Sequence, residues 1–323
     1  LYLRNKDRFP DSHARAAGGN MDHGTYRAVS DGYTMYLITG EGESMKRLAV
    51  LLALVMTVGL VGCGNSDTQS KTETKSETKE ETTTEEAFEG EYVVNAEYLA
   101  TCEDGKSGDA NWGCILDTER LSERLGEKGL DPNKEIVLFA AAQNGWGDDG
   151  RIAWELIAAG YKDVKMVDGG FDALKEAGIE TAKGGSEPKA VDVKIDSIDT
   201  THVINTDELK ANYDDYKVVD VRADEEYDGE TLYGEAKGGH LPGAIHIRYT
   251  DLFQKSGMLK SNAEITKMFE DAGITKDDKV VTYCTAGIRS GYMQLILEMC
   301  GFKNTQNYDE SYYRWCAVED VEK

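Results

Sequence analysis

The stretch Val280-Val281-Thr282-Tyr283-Cys284-Thr285-Ala286-Gly287-Ile288-Arg289-Ser290 decides the fold. Its first four residues are β-branched or aromatic and read as a short buried strand, and from Tyr292 to Met299 apolar residues recur at helical spacing. Strand, tight loop and helix in that order open a parallel βαβ unit, whose ligand sites lie at the carboxyl ends of strands. A cysteine in that loop stands at a helix N-terminus. Backbone N–H dipoles there, with Arg289, favour thiolate over thiol and make the sulfur a nucleophile and a holder of anions.

Outward from this unit the series continues through Gly301-Phe302 to a second strand ending at Tyr308-Asp309. An earlier copy runs through Ile136-Val137-Leu138-Phe139, a glycine-bearing loop, a helical pattern over 152–159, Gly160-Tyr161 and a strand over 164–167 ending at Asp168. Two copies imply two similar α/β domains, 88–185 and 200–323, each a doubly wound, mostly parallel sheet flanked by helices. The stretch 183–189, with two glycines and a proline, reads as the linker. The second domain opens with a capped helix start at Thr206-Asp207-Glu208-Leu209 and a buried strand over 217–221. The first is abbreviated, with no equivalent of Val218-Val219-Asp220-Val221-Arg222 between Val93 and Pro132.

The 323 residues suit about two domains, and 36 Lys+Arg against 60 Asp+Glu give a net charge of −24. Such a surface repels phosphate backbones and anionic lipid, which excludes a nucleic-acid partner and a polybasic membrane contact. Residues 1–44 show no sustained periodicity and read as a non-domain segment, upstream of the true start if Met45 opens the protein. Met45-Lys46-Arg47, an apolar run over 48–61 and Gly62-Cys63 form a secretory signal layout too short for a comfortable membrane span. Residues 66–86 are almost wholly Ser, Thr, Lys, Glu, Asp and Gln and read as a solvated tether.

Leu60-Val61-Gly62-Cys63 resembles the bacterial lipobox. That resemblance implies a signal peptide over 45–62, lipidation of Cys63, a lipid-anchored disordered linker over 63–87, and a place on the extracytoplasmic face of a bacterial cell membrane. The other reading is a plain signal anchor with Cys63 as a buried small residue. Asp220-Val221-Arg222, Glu226-Tyr227, Gly239-His240-Leu241-Pro242-Gly243-Ala244 and Cys284-x-x-x-x-Arg289-Ser290 stand in the order and spacing of a rhodanese domain. Over most of 200–316 the chain resembles the rhodanese family, in its tandem-domain form.

The resemblance implies a sulfurtransferase without cofactor or metal. Cys284 would take a sulfane sulfur from a small anionic donor of the thiosulfate or mercaptopyruvate class, hold it as a persulfide, and yield it to a thiol or cyanide-like acceptor. The loop of Thr285, Ala286, Gly287, Ile288 and Ser290 would hold the terminal sulfur, while Arg289 steadies the loop and draws in the donor. Asp220, Arg222 and Glu226 would be buried supports that pin backbone, and His240 would cap the turn before Pro242. Ala140 stands where Cys284 stands in the second copy, so the first domain is expected to be inactive and to wall the cleft. Trp146 and Arg151 are its candidates for facing substrate, with interdomain packing the equal alternative for Trp146.

One departure from the family is Asp309-Glu310-Ser311-Tyr312, where the first copy has Asp168-Gly169-Gly170-Phe171; an acid there is expected to alter the cleft. Tyr312, Tyr313 and Trp315 read as core aromatics. Cys102, Cys114, Cys300 and Cys316 read as small buried residues, with a Cys102–Cys114 disulfide allowed in an exported protein, and no spacing suggests zinc. Two other functions compete. A phosphatase also encloses an anion with Cys and Arg but uses a longer loop than Thr285 to Ile288. A non-catalytic surface lipoprotein that binds or senses sulfur or redox partners is favoured by Glu310-Ser311 and the short first domain.

Overall fold

The computed structural model describes residues 36–40, 92–95, 102, 104–179 and 189–323. The expected signal peptide, Cys63, its tether and most of the linker over 183–189 lie outside them. The first unit comprises β1 (Tyr36–Gly40), β2 (Tyr92–Asn95), α1 (Thr118–Glu127), β3 (Glu135–Phe139), α2 (Asp148–Ala158), β4 (Val164–Met166) and α3 (Gly170–Glu176). The second comprises β5 (Val203–Ile204), α4 (Thr206–Ala211), β6 (Lys217–Asp220), α5 (Asp224–Tyr227), β7 (Ile245–His246), α6 (Asn262–Asp271), β8 (Lys279–Tyr283), α7 (Ile288–Met299), β9 (Asn304–Tyr308) and α8 (Ser311–Val318).

The second sheet, in order β5-β9-β8-β6-β7, is parallel throughout. Its central strand β8 is buried on both faces, which explains the unbroken Val280-Val281-Thr282-Tyr283 run. Thr282, the polar member, donates from Oγ1 to the Ser290 carbonyl at 3.0 Å and so ties β8 to the first turn of α7. On one side of the sheet Val219, Val280, Met293, Ile296, Phe269 and Phe302 form a core; on the other, Leu209, Val281, Tyr283, Tyr308 and Trp315. The helix expected at Thr206 is there, with Asn205 and Glu208 capping each other's backbone.

The first sheet has the order β2-β1-β3-β4. β3 and β4 are parallel, as the repeat requires, but the place that β6 fills beside β8 is taken beside β3 by β1, running antiparallel. This strand falls inside the stretch read as a non-domain segment: Tyr-Leu-Ile-Thr is strand-favouring, and one short run carries too little periodicity to be noticed. Leu121, Leu125, Leu138, Ile152 and Leu156 close the first core.

The two units meet where α2 crosses α7. A methyl group on Gly150 would overlap the Tyr292 ring, and one on Gly291 would press on Arg151. Each helix therefore offers a hollow to the other's large side chain, and the crossing sits directly under the loops that precede the two helices.

Candidate functional site

Cys284 follows the last residue of β8, and Gly287, with φ +82°, is the N-cap of α7. The left-handed glycine lets the loop curl over the helix end so that amides point inward. Ala286 and Ser290 N–H groups and the Ser290 hydroxyl, 3.6 Å away, hydrogen-bond to Cys284 Sγ. Burial of the thiol pushes its pKa up, yet the Arg289 guanidinium and these hydrogen bonds outweigh it and leave it below the ordinary thiol value. The residue is 2% exposed.

Arg289 is held rather than free. Its Nη1 and Nη2 donate to Glu226 Oε2 and Oε1 at 2.7 and 2.8 Å, and Nη2 also reaches Thr285 Oγ1 at 2.8 Å. Thr285 Oγ1 in turn donates to Glu226 Oε1 at 2.7 Å. Burial opposes the charge on Glu226, but Arg289, Thr285 and the Ala223 N–H hold its pKa down at about 2. Glu226 thus steadies the side chains of the cysteine loop as well as accepting from the Ala223 N–H. The Trp146 ring lies 5.0 Å from the Arg289 guanidinium carbon and meets Tyr233 edge-on at 5.0 Å.

Asp220 and Arg222 form a buried ion pair. Arg222 donates to both Asp220 oxygens and to the Gly239 carbonyl, and rests on the Tyr312 ring at 3.9 Å. Tyr283 joins them, donating to Asp220 Oδ2 at 2.5 Å and accepting from the Leu241 N–H at 3.0 Å. His240 donates from Nδ1 to the Tyr227 carbonyl at 3.0 Å and stacks on that ring; its contacts lie there and at Glu322, not at the cysteine loop. Tyr312, Tyr313 and Trp315 are buried, as are Cys300 and Cys316.

Arg151 does not face substrate. It is fully buried and donates to Glu155, Gly287 O, Gly113 O and Asp309, so it is a strut between the units. Glu310 does not enter the cleft either. One carboxylate oxygen accepts from the Asn111 N–H and the other from Thr206 N–H and Oγ1.

The residue missed in this segment is Ser311. It adopts φ +52°, matching φ +58° at Gly170 in the first copy, and its hydroxyl accepts from the Cys284 N–H at 3.1 Å while donating to Tyr308 O at 2.9 Å. The alignment of Asp309-Glu310-Ser311 on Asp168-Gly169-Gly170 was the available signal. In the first unit Asp149 stands one residue inside its helix, as Arg289 does in α7, so the degenerate loop has a carboxylate where the intact one has a cation. Burial raises that carboxyl to about 6. A cavity of about 300 Å³ opens beside this degenerate loop, between Ala141, Asn144, Gly169 and Lys255, away from Cys284.

Residues 205–318 match the family model of the rhodanese-like domain. The chain is 27% identical over 219 residues to a putative thiosulfate sulfurtransferase of Mycolicibacterium smegmatis, covering 63% of this chain and 76% of the relative. It is 30% identical over 214 residues to the sulfur carrier protein TtuD of Thermus thermophilus, covering 61% of this chain and 72% of the relative. The chain belongs to the rhodanese-like family. A solved structure of EanB, with ergothioneine covalently linked with a persulfide cysteine, shares the fold at a TM-score of 0.63 and 22% identity. The alignment spans 71% of this chain and 59% of that one.

Proposed function

We propose that the protein moves a sulfane sulfur from a small anionic donor, of the thiosulfate or mercaptopyruvate class, through a persulfide on Cys284 to a thiophilic acceptor. One observation carries this reading: the Cys284 sulfur lies in a cradle of N–H and O–H donors with its pKa lowered beside Arg289. The thiolate attacks the outer sulfur of thiosulfate, whose S–S bond breaks with its electron pair leaving on sulfite, or the sulfur of mercaptopyruvate, whose C–S bond breaks with its pair leaving on the enolate of pyruvate. The Ala286 and Ser290 N–H groups then serve the terminal, anionic sulfur of the persulfide. Cyanide or a thiolate attacks that sulfur, and the Cys284 thiolate departs with the bond pair, which makes the kinetics ping-pong. Because Glu226 already neutralises Arg289 in a two-point pair, Arg289 acts by position beside the sulfur more than as a lure for distant anions.

The chain lays its N-terminal segment out as an exported lipoprotein, with Cys63 as the anchored residue and the folded part on a tether. Transfer from thiosulfate to cyanide, with intact-mass detection of one added sulfur, tests the chemistry. Turnover and a mass gain lost in Cys284→Ser support it; a protein inert to thiosulfate and to mercaptopyruvate, with no added mass, overturns it. Retention of Cys63→Ala in the membrane fraction would overturn the anchor.

A further inference from the structure

A strap from the first unit, Cys102 with residues 104–115, lies against the second beside its cysteine loop. Gly113 takes φ +84° and donates its N–H to the Cys102 carbonyl at 2.8 Å, while the Cys102 N–H donates to the Cys114 carbonyl at 2.7 Å. Two residues thus oppose one, with a left-handed glycine in the first position, which is a G1 bulge. Residues paired in this way have Cα atoms about 5 Å apart, within the span of a disulfide. Cys102 and Cys114 are both half-buried free thiols.

What the strap touches gives the pair its meaning. The Asn111 N–H donates to Glu310 and the Ile115 N–H to Asp309, at 3.1 and 2.9 Å. The Gly113 carbonyl accepts from Arg151 at 3.1 Å, and Gly113 itself faces the Ala286 carbonyl of the cysteine loop. Trp112 meets Tyr313 edge-on, and Arg314 holds the Gly108 carbonyl. The two cysteines are the two ends of this strap.

We propose that Cys102 and Cys114 are a disulfide site that staples the strap closed against the Cys284 loop, formed by exchange with a small disulfide such as cystine. Arg120 Nη1 donates to Cys102 Sγ at 3.8 Å, whereas burial pushes the Cys114 thiol up, with Asp309 and Glu310 adding to it. Cys102 therefore attacks first: its thiolate displaces one cysteine from cystine and forms a mixed disulfide. Cys114, giving up its proton, attacks the Cys102 sulfur and releases the second cysteine. Cystine gains two electrons and two protons, and the protein loses them as its thiols join. The geometry holds whether or not Cys284 carries sulfur, so failure here leaves the proposed transfer untouched.

The test uses the full chain, equilibrated with cystine or with dithiothreitol, alkylated and cut with trypsin, which cleaves at the exposed Lys106 between the two cysteines. Cystine should yield peptides of Cys102 and Cys114 linked together and lighter by two hydrogens. The thermal midpoint should rise by about 5 °C, and Cys102→Ser or Cys114→Ser should show no such rise. Full alkylation of both cysteines after cystine, separate mixed disulfides that never join, or linkage to any other cysteine overturns the site. A linked pair without a thermal shift overturns the staple.

Discussion

Arg151 Nη1 donates to the Gly287 carbonyl, 3.1 Å away, so a side chain of the first unit, whose own loop has Ala140 in the place of Cys284, holds the N-cap of the helix that carries Arg289. The same guanidinium satisfies Asp309, just after β9, and Glu155 on its own helix. One buried cation therefore sets both backbone segments that flank Cys284.

Removing it should be costly. Arg151→Met leaves the Asp309 and Glu155 carboxylates buried without their cation, which destabilises the fold by about 3–5 kcal/mol. Arg151→Lys restores the charge but not the fork that spans Glu155, Gly287 and Gly113, and should recover only part of it. Urea unfolding of the three proteins measures the order.

The Arg289–Glu226 pair should shape the acid limb of stability. Glu226 is held at about 2, below its ordinary 4.5, so its contribution is fully present above pH 4.5 and is lost as pH falls through about 2. Unfolding free energy should fall across that window, and Glu226→Gln should remove this part of the slope while lowering stability at neutral pH. An unchanged slope in the variant would contradict the pair's role.

Arg289 should set the reactivity of Cys284. Arg289→Met removes the largest influence that lowers the thiol and leaves burial, which raises it, less opposed. The pH midpoint of iodoacetamide alkylation at Cys284 should move up, and sulfur loading at neutral pH should fall on the order of tenfold or more. Stopped-flow alkylation across pH reads the first, intact mass the second.

Ser311 should rank its replacements in an unusual order. Ser311→Ala keeps a Cβ at φ +52° and strands the buried Cys284 N–H, at a cost of about 1–3 kcal/mol. Ser311→Gly loses the same hydrogen bond but relieves the left-handed backbone by roughly 1 kcal/mol. Thermal unfolding should place glycine above alanine.

The loop from β8 into α7 is legible in the sequence because everything that defines it is local: a buried strand, a left-handed glycine and a helix within a dozen residues. Asp220 and Arg222 are legible for the same reason, two residues apart on one strand end. Arg151 is misread because its partners Gly287 and Asp309 lie 136 and 158 residues away, and a loop position next to Trp146 says nothing of them. Glu310 is misread as a cleft acid because its backbone neighbour Ser311 turns into the site while its own side chain turns to Thr206 and Asn111. Tyr36–Gly40 escapes notice because strand pairing, not periodicity over five residues, creates it.

At the crossing of α2 and α7, Gly150 receives Tyr292 and Gly291 receives Arg151. Interlocked in both directions, the two helices form a weld rather than a hinge, since sliding or opening either one would drive a ring or a guanidinium into backbone. Access to the enclosed sulfur of Cys284 then rests on movement of side chains and loops around it rather than on a parting of halves. Trp146, over the Arg289 guanidinium, and Tyr233, edge-on to it, sit on loops of the two units.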